Sequence, residues 1–171
     1  RLDCAAAAEG VFEKDALFTL PGGEDKVFKA YSMTESTNRL ELSAGRLPER
    51  PNECVADWLA FGENDIGKTL RLSEANDGDT LGDFAYSEYT IVGVATSPEY
   101  INYERGSTSL GTGTVAGYLY MPYDGFDVDY FTSIYLRLNE TAAPYSDEYT
   151  AIADAAEPAV KALAEQCTQD R

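Results

Sequence analysis

Glu88 to Pro122 reads EYTIVGVATSPEYINYERGSTSLGTGTVAGYLYMP. Tyr89 to Ala95 is β-branched and aromatic, the composition of a buried strand. Val115 to Met121 alternates around Tyr118 and Tyr120, and Pro122 closes it because proline cannot donate to a ladder. Between them, Thr96 to Thr114 holds three glycines, one proline and two tyrosines. Loops beyond about 12–15 residues usually carry a function or fold back on themselves. The chain is therefore organised around two strands and one long, glycine-rich excursion.

The flanking sequence supplies more strands. Ala16–Leu20 and Lys26–Met33 enclose Pro21-Gly22-Gly23, a hairpin signature. Glu53–Asp57 reads as a short buried strand, Trp58–Phe61 as a helical turn, and Lys68–Ser73 and Thr132–Leu138 as alternating strands. Ser32–Asn38 reads as a loop or a short capped helix, the acidic Glu74–Asp83 as a loop, and Gly45-Arg46-Leu47-Pro48 as a turn. Leu2–Phe12 is alanine-rich and helix-favouring until Gly10. From Tyr149 the period changes: Ile152, Ala156, Ala159, Val160 and Leu163 recur at helical spacing behind a Ser146 cap, and Pro158 is expected to kink or divide that helix. Many strands with one terminal helix indicate an α+β domain, a mixed or antiparallel sheet with flanking helices. The length of 171 residues fits a single domain with a sizeable core.

Thirty acidic against thirteen basic residues leave a net charge of −17, which argues against nucleic acid or an anionic membrane surface as partner. The chain contains no histidine, which removes Ser-His-Asp and Cys-His catalysis and His-containing zinc sites. It has no apolar run of membrane-spanning length. It opens on Arg1 without methionine or signal peptide and reads as a segment of a longer protein. The three cysteines, Cys4, Cys54 and Cys167, include no C-x-x-C pair. Cys4 and Cys167 form a possible disulfide if the chain ends meet, leaving Cys54 as a core residue; free thiols are the alternative.

Gly62 to Thr69 (GENDIGKT) satisfies the phosphate-loop pattern G-x-x-x-x-G-K-[ST]. Its context fails: a phosphate loop opens a helix, whereas Leu70-Arg71-Leu72 continues as a strand, and Glu63 and Asp65 would repel phosphates. Asp124, Asp127 and Asp129, and separately Asp77 and Asp79, do not fit a calcium loop and read as acidic surface. No catalytic, metal-binding or cofactor-binding residues are therefore assigned. In the excursion, Tyr100, Ile101 and Tyr103 form a possible partner-contact surface or fold onto the domain's own core. Arg105, flanked by Glu104, reads as a loop clamp through an ion pair, with partner contact as the alternative.

Taken together, Tyr89–Ala95, Ser97-Pro98-Glu99-Tyr100-Ile101, Glu104-Arg105-Gly106 to Gly113, and the tyrosine-rich strand ending Met121-Pro122 resemble the extracytoplasmic domain of FtsX/MacB-type ABC transporter permeases. The likeness is greatest to the large permeases of Gram-positive bacteria. Leu42–Pro48, Glu53–Ala56 and Asp65–Leu70 are similar to that family's G-R-x-P turn, short strand and Ile-Gly-Asp turn, with Lys68 where the family has an aspartate. The resemblance spans roughly Leu40 to Leu138.

It implies a MacB-periplasmic-core-like fold and a non-catalytic domain on the extracellular side of the cell membrane, cut from a longer permease. Residues 1–12 would form a stalk-like N-terminal helix, and the helix over 146–168 would lead to a stalk or second transmembrane helix. The partners it implies are the permease's own transmembrane helices, a separate cytoplasmic ABC ATPase subunit, and an extracellular peptide, lipid or protein, with no cofactor and no nucleic acid. Transport or signalling would be coupled to something outside the membrane. Two other readings stay open: a free-standing cell-surface binding or adhesion module, and an acidic carbohydrate-active or metal-dependent hydrolase.

Overall fold

The computed structural model describes residues 3–139, 141–143 and 145–169. In chain order the elements are β1 (Ala5–Val11), β2 (Glu13–Thr19), β3 (Asp25–Ser32), β4 (Glu41–Gly45), β5 (Glu53–Asp57), β6 (Thr69–Leu72), α1 (Gly78–Gly82), β7 (Glu88–Thr96), β8 (Val115–Met121), β9 (Ser133–Leu138) and α2 (Asp147–Gln169). The single domain expected from length divides into two compact units, Gly10–Ile134 and Arg1–Glu9 with Tyr135–Arg171.

The larger unit is a seven-stranded mixed sheet in the order β4-β7-β5-β8-β3-β2-β6, in which β6 returns to pair with β7. The six strands β7-β5-β8-β3-β2-β6 thus close on themselves. Closure removes the open edges that a flat sheet would present. β7 is long enough at nine residues to serve β6 through Glu88–Thr90 and β4 through Gly93–Thr96, while β5 runs parallel to it. β3 and β8 are also parallel; β2–β3 is the hairpin expected from Pro21-Gly22-Gly23.

Phe18, Phe28, Leu70, Tyr89, Ile91, Leu119 and Met121 fill the core. Cys54 lies among them, and burial pushes its thiol up to about 12, so it is a protonated packing residue. The Tyr89 hydroxyl donates to the Gly125 carbonyl, which satisfies the one polar atom this ring takes into the core.

Three expectations are corrected. The stalk-like helix expected over residues 1–12 is instead strand β1, paired with β9 in a two-stranded sheet. Alanine's helix preference is only a few tenths of a kcal/mol per residue over ordinary side chains, and ladder pairing overrides it. Gly10 adds a reason: a Cβ there would lie 2.3 Å from the Phe131 ring, so the ring needs bare backbone. The acidic Glu74–Asp83 loop contains α1, whose N-cap Asp77 accepts from the Thr80 amide at 2.7 Å; five residues are too few to show a period. Pro158 is exposed within an unbroken α2, because losing one donor does not divide a helix of 23 residues. The Ser146 hydroxyl accepts from the Tyr149 amide, as a cap should.

Gly45 and Gly93 let β4 and the turn after it cross β7 closely. A Cβ on Gly45 would meet the Val92 carbonyl at 2.3 Å, and Gly45 has φ of +77°. One on Gly93 would meet the Arg46 carbonyl at 2.4 Å. The same turn is held by Arg46, which donates twice to the Glu53 carboxylate at 2.8 Å. That hydrogen bonding, helped by the Glu49 amide, lowers the Glu53 pKa to about 2.

Two outcomes are expected. Gly45→Ala should lower thermal stability by at least ~1–2 kcal/mol from the left-handed backbone alone, whereas Gly22→Ala, with open space around it, should be near neutral. Because the folded Glu53 pKa is depressed, its stabilisation is present above the ordinary carboxylate range and is lost as pH falls toward 2. Chemical denaturation should therefore show a Glu53→Gln deficit at pH 6 that shrinks by pH 3.

Candidate contact surface

Residues 97–114 form a strap over the outer face of β8, β5 and β3. The strap is ordered from beneath by aromatic rings. Tyr100 stacks on Tyr118 with centroids 4.8 Å apart, and its hydroxyl lies 2.7 Å from that of Tyr31. Tyr31 stacks on Tyr120 in turn, and the Tyr120 hydroxyl lies 2.9 Å from Ser97 Oγ. Burial, foremost, pushes the Tyr31, Tyr100 and Tyr118 phenols above the usual tyrosine value, so this layer of hydroxyls stays protonated and hydrogen-bonded at neutral pH.

One ion pair sits inside that layer. Arg105 Nη2 donates to Asp57 Oδ1 at 3.0 Å and Arg105 Nε to Asp57 Oδ2, a bidentate pair that removes both side chains from water. The Arg105 guanidinium lies 5.1 Å from the Tyr100 ring centroid and 5.3 Å from that of Tyr118, within cation–π range. Its Nη1 donates to the Asn102 carbonyl, which fixes the strap's crest. The hydrogen bonds to Asp57 raise the guanidinium's pKa further, so Arg105 stays charged. Beyond Arg105 the strap folds back through a Ser107–Thr114 bridge, with Gly106 and Gly113 at positive φ.

The predicted contact residues therefore separate. Ile101 and Tyr103 stand at the crest, 83% and 73% exposed. Tyr100 is half-buried beneath them. Arg105 is only 7% exposed and turned inward; its partner is Asp57, 48 residues away, not the neighbouring Glu104. Trp58, which carries no contact signal in the sequence, joins the crest with its ring 6.2 Å from that of Tyr103, and Leu59 beside it in the chain is likewise partly exposed. The available signal was an aspartate ending a buried strand, followed at once by large apolar residues.

The phosphate-loop look-alike is a turn. Lys68 Nζ pairs with Asp65 Oδ1 at 2.8 Å, Gly67 has φ of +88°, and strand β6 follows. Cys4 is half-buried and unbridged among the described residues; the Cys167 side chain, on which the expected bridge depends, lies outside them.

Removing one member of the Asp57–Arg105 pair should be costly, because it leaves a buried charge without its partner. Asp57→Asn or Arg105→Met should each lose roughly 3–5 kcal/mol of unfolding free energy. The double variant Asp57→Asn/Arg105→Met should lose less than the sum, and a double-mutant cycle from denaturation curves reads the coupling.

No family model matches the chain, and no curated protein matches it. Solved structures do. The periplasmic region of MacB from Actinobacillus actinomycetemcomitans superposes over 94% of this chain and 68% of its own length, with TM-score 0.53 and 14% identity. The extracellular domain of the noncanonic ABC-type transporter YknZ from Gram-positive bacteria covers 88% of this chain and 72% of its own, with TM-score 0.50 and 10% identity. A domain of a putative permease protein from Porphyromonas gingivalis covers 84% and 66%, with TM-score 0.50 and 15% identity. The fold is that of the extracytoplasmic domains of MacB-like ABC transporter permeases.

Proposed function

We propose that this chain is a non-catalytic extracytoplasmic domain of an ABC transporter permease. It couples the cycle of a separate cytoplasmic ATPase subunit to the binding or movement of something outside the membrane. The observation that carries this reading is the shared fold over 94% of the chain. The crest supports it: Ile101 and Tyr103 are held outward by an ion pair that faces inward. A surface prepared in this way contributes contact energy without the cost of ordering a loop at each encounter. No helix among the described residues is long and apolar enough to cross a membrane, so attachment in this reading belongs to transmembrane helices elsewhere in the parent permease.

The reading is tested in intact cells that express the parent permease in a Cys4→Ser/Cys167→Ser background. Ile101→Cys should react with a membrane-impermeant maleimide, while the buried Cys54 should not. The labelling rate should change, about twofold or more by analogy with modest allosteric coupling, when ATP hydrolysis by the ATPase subunit is blocked. Labelling only after permeabilisation would overturn the extracytoplasmic placement. Labelling that ignores the ATPase would favour the free-standing surface module.

A further inference from the structure

Trp58 and Leu59 follow Asp57 directly, and Ile101 and Tyr103 precede Arg105 by a few residues. The Asp57–Arg105 pair therefore fastens two loops into one platform. Each loop is also closed on itself. The Ala60 and Phe61 amides donate to the Asp57 carbonyl, and the Leu59 amide to Asp57 Oδ1 at 3.0 Å. Single exposed apolar side chains are ordinary, but four gathered on a fixed frame mark a contact site.

The charge around this frame is one-sided. Residues 57–65 and 97–106 contain Asp57, Glu63, Asp65, Glu99 and Glu104 against Arg105 alone. Arg105 is consumed by Asp57, and the neighbouring Lys68 by Asp65. Glu63 and Glu104 are exposed and form no ion pair among the described residues. The result is an apolar, aromatic crest with the exposed Glu104 next to Tyr103 in the chain and the exposed Glu63 four residues after Leu59, on a chain of net charge −17. A second copy of the chain and an anionic lipid surface both bring more negative charge and are disfavoured. Apolar side chains accompanied by Lys or Arg are favoured, and the faces of Trp58 and Tyr103 add cation–π attraction. Four side chains are few beside the ~800 Å² that a folded partner usually covers, but they suit the few anchors of a short peptide.

We propose that the Trp58–Leu59–Ile101–Tyr103 surface binds a short basic amphipathic peptide, its apolar face on the crest and its cationic groups toward Glu63 and Glu104. The proposal rests on the crest being the contact surface of the domain.

Trp58 is the chain's sole tryptophan, so its emission reports the crest alone. The chain is titrated with a synthetic Lys/Leu amphipathic peptide, a Glu/Leu peptide of the same pattern, and a Lys/Ser peptide without an apolar face. The Lys/Leu peptide should shift Trp58 emission to shorter wavelength and bind more weakly as salt rises, while the other two should leave it unchanged. Ile101→Ser/Tyr103→Ser should raise Kd on the order of tenfold, and Glu63→Gln/Glu104→Gln a few-fold with a shallower salt dependence. Circular dichroism of both variants should be unchanged, since all four side chains are exposed.

Equal binding of the Glu/Leu peptide, a response to anionic vesicles instead, or no Trp58 response would overturn the peptide assignment. Extracytoplasmic labelling of Ile101→Cys would survive that failure. Loss of that labelling would instead remove the permease reading while leaving the peptide titration to stand on its own.

Discussion

A strand has two edges, and β7 shares them among three partners. β5 takes one edge, and β6 and β4 divide the other between its two ends. The closed arrangement depends on that division. If β7 were short, β6 would have no strand to close upon and the core between Phe18, Leu70 and Ile91 would open to water. Its nine residues, Glu88 to Thr96, include Thr90, Ile91, Val92, Val94 and Thr96, the β-branched composition that keeps a long strand extended. Gly93 is the exception, and it lies where the Arg46 carbonyl passes over the strand.

The strap depends on the barrel rather than the reverse. Its rings rest on Tyr31, Tyr118 and Tyr120, side chains that point outward from β3 and β8, while Phe28, Leu119 and Met121 on the same strands point into the core. The period of two thus gives these strands two apolar faces. An outward-facing tyrosine layer would be a liability if left bare, and the strap covers it. The buried Asp57–Arg105 pair within that cover is a weak source of net stability, since desolvation offsets most of its attraction. What it supplies is geometry: a bidentate pair admits one orientation of the strap, where apolar packing alone would admit several.

Much of this was legible in the sequence. β5 and β8 have the bounds their composition indicates, and β7 differs only at its ends, because β-branched residues in short runs with turn residues on either side admit little else. The strand that follows Gly67, where a phosphate loop would open a helix, is legible in the alternation of Leu70, Arg71 and Leu72. The failures share a cause. Ala5–Ala8 has no side chains large enough to display a period, so only the pairing with β9 decides its conformation. β4 shows no strand signal in the sequence, because its residues are mostly exposed and carry no buried alternation. At the contact surface, Tyr100, Ile101, Tyr103 and Arg105 were picked out by their place in an over-long loop. Asp57, Trp58 and Leu59 were not, since a contact across 48 residues leaves no local trace.

The parallel pairing of β3 with β8 fixes the order in which the molecule is able to form. Val27 meets Val115 only after the 87 intervening positions have been made. β2 and β3 form a hairpin early, yet the neighbour of β3 in the sheet, β8, comes late in the chain. Long-range closure of this kind makes folding slow relative to helical proteins of similar size. During synthesis the N-terminal hairpin must wait with its aromatic faces exposed, Phe18 and Phe28 on one side and Tyr31 on the other. The segment from Asp25 to Ser32 is therefore the one most in need of protection while the polypeptide is still incomplete.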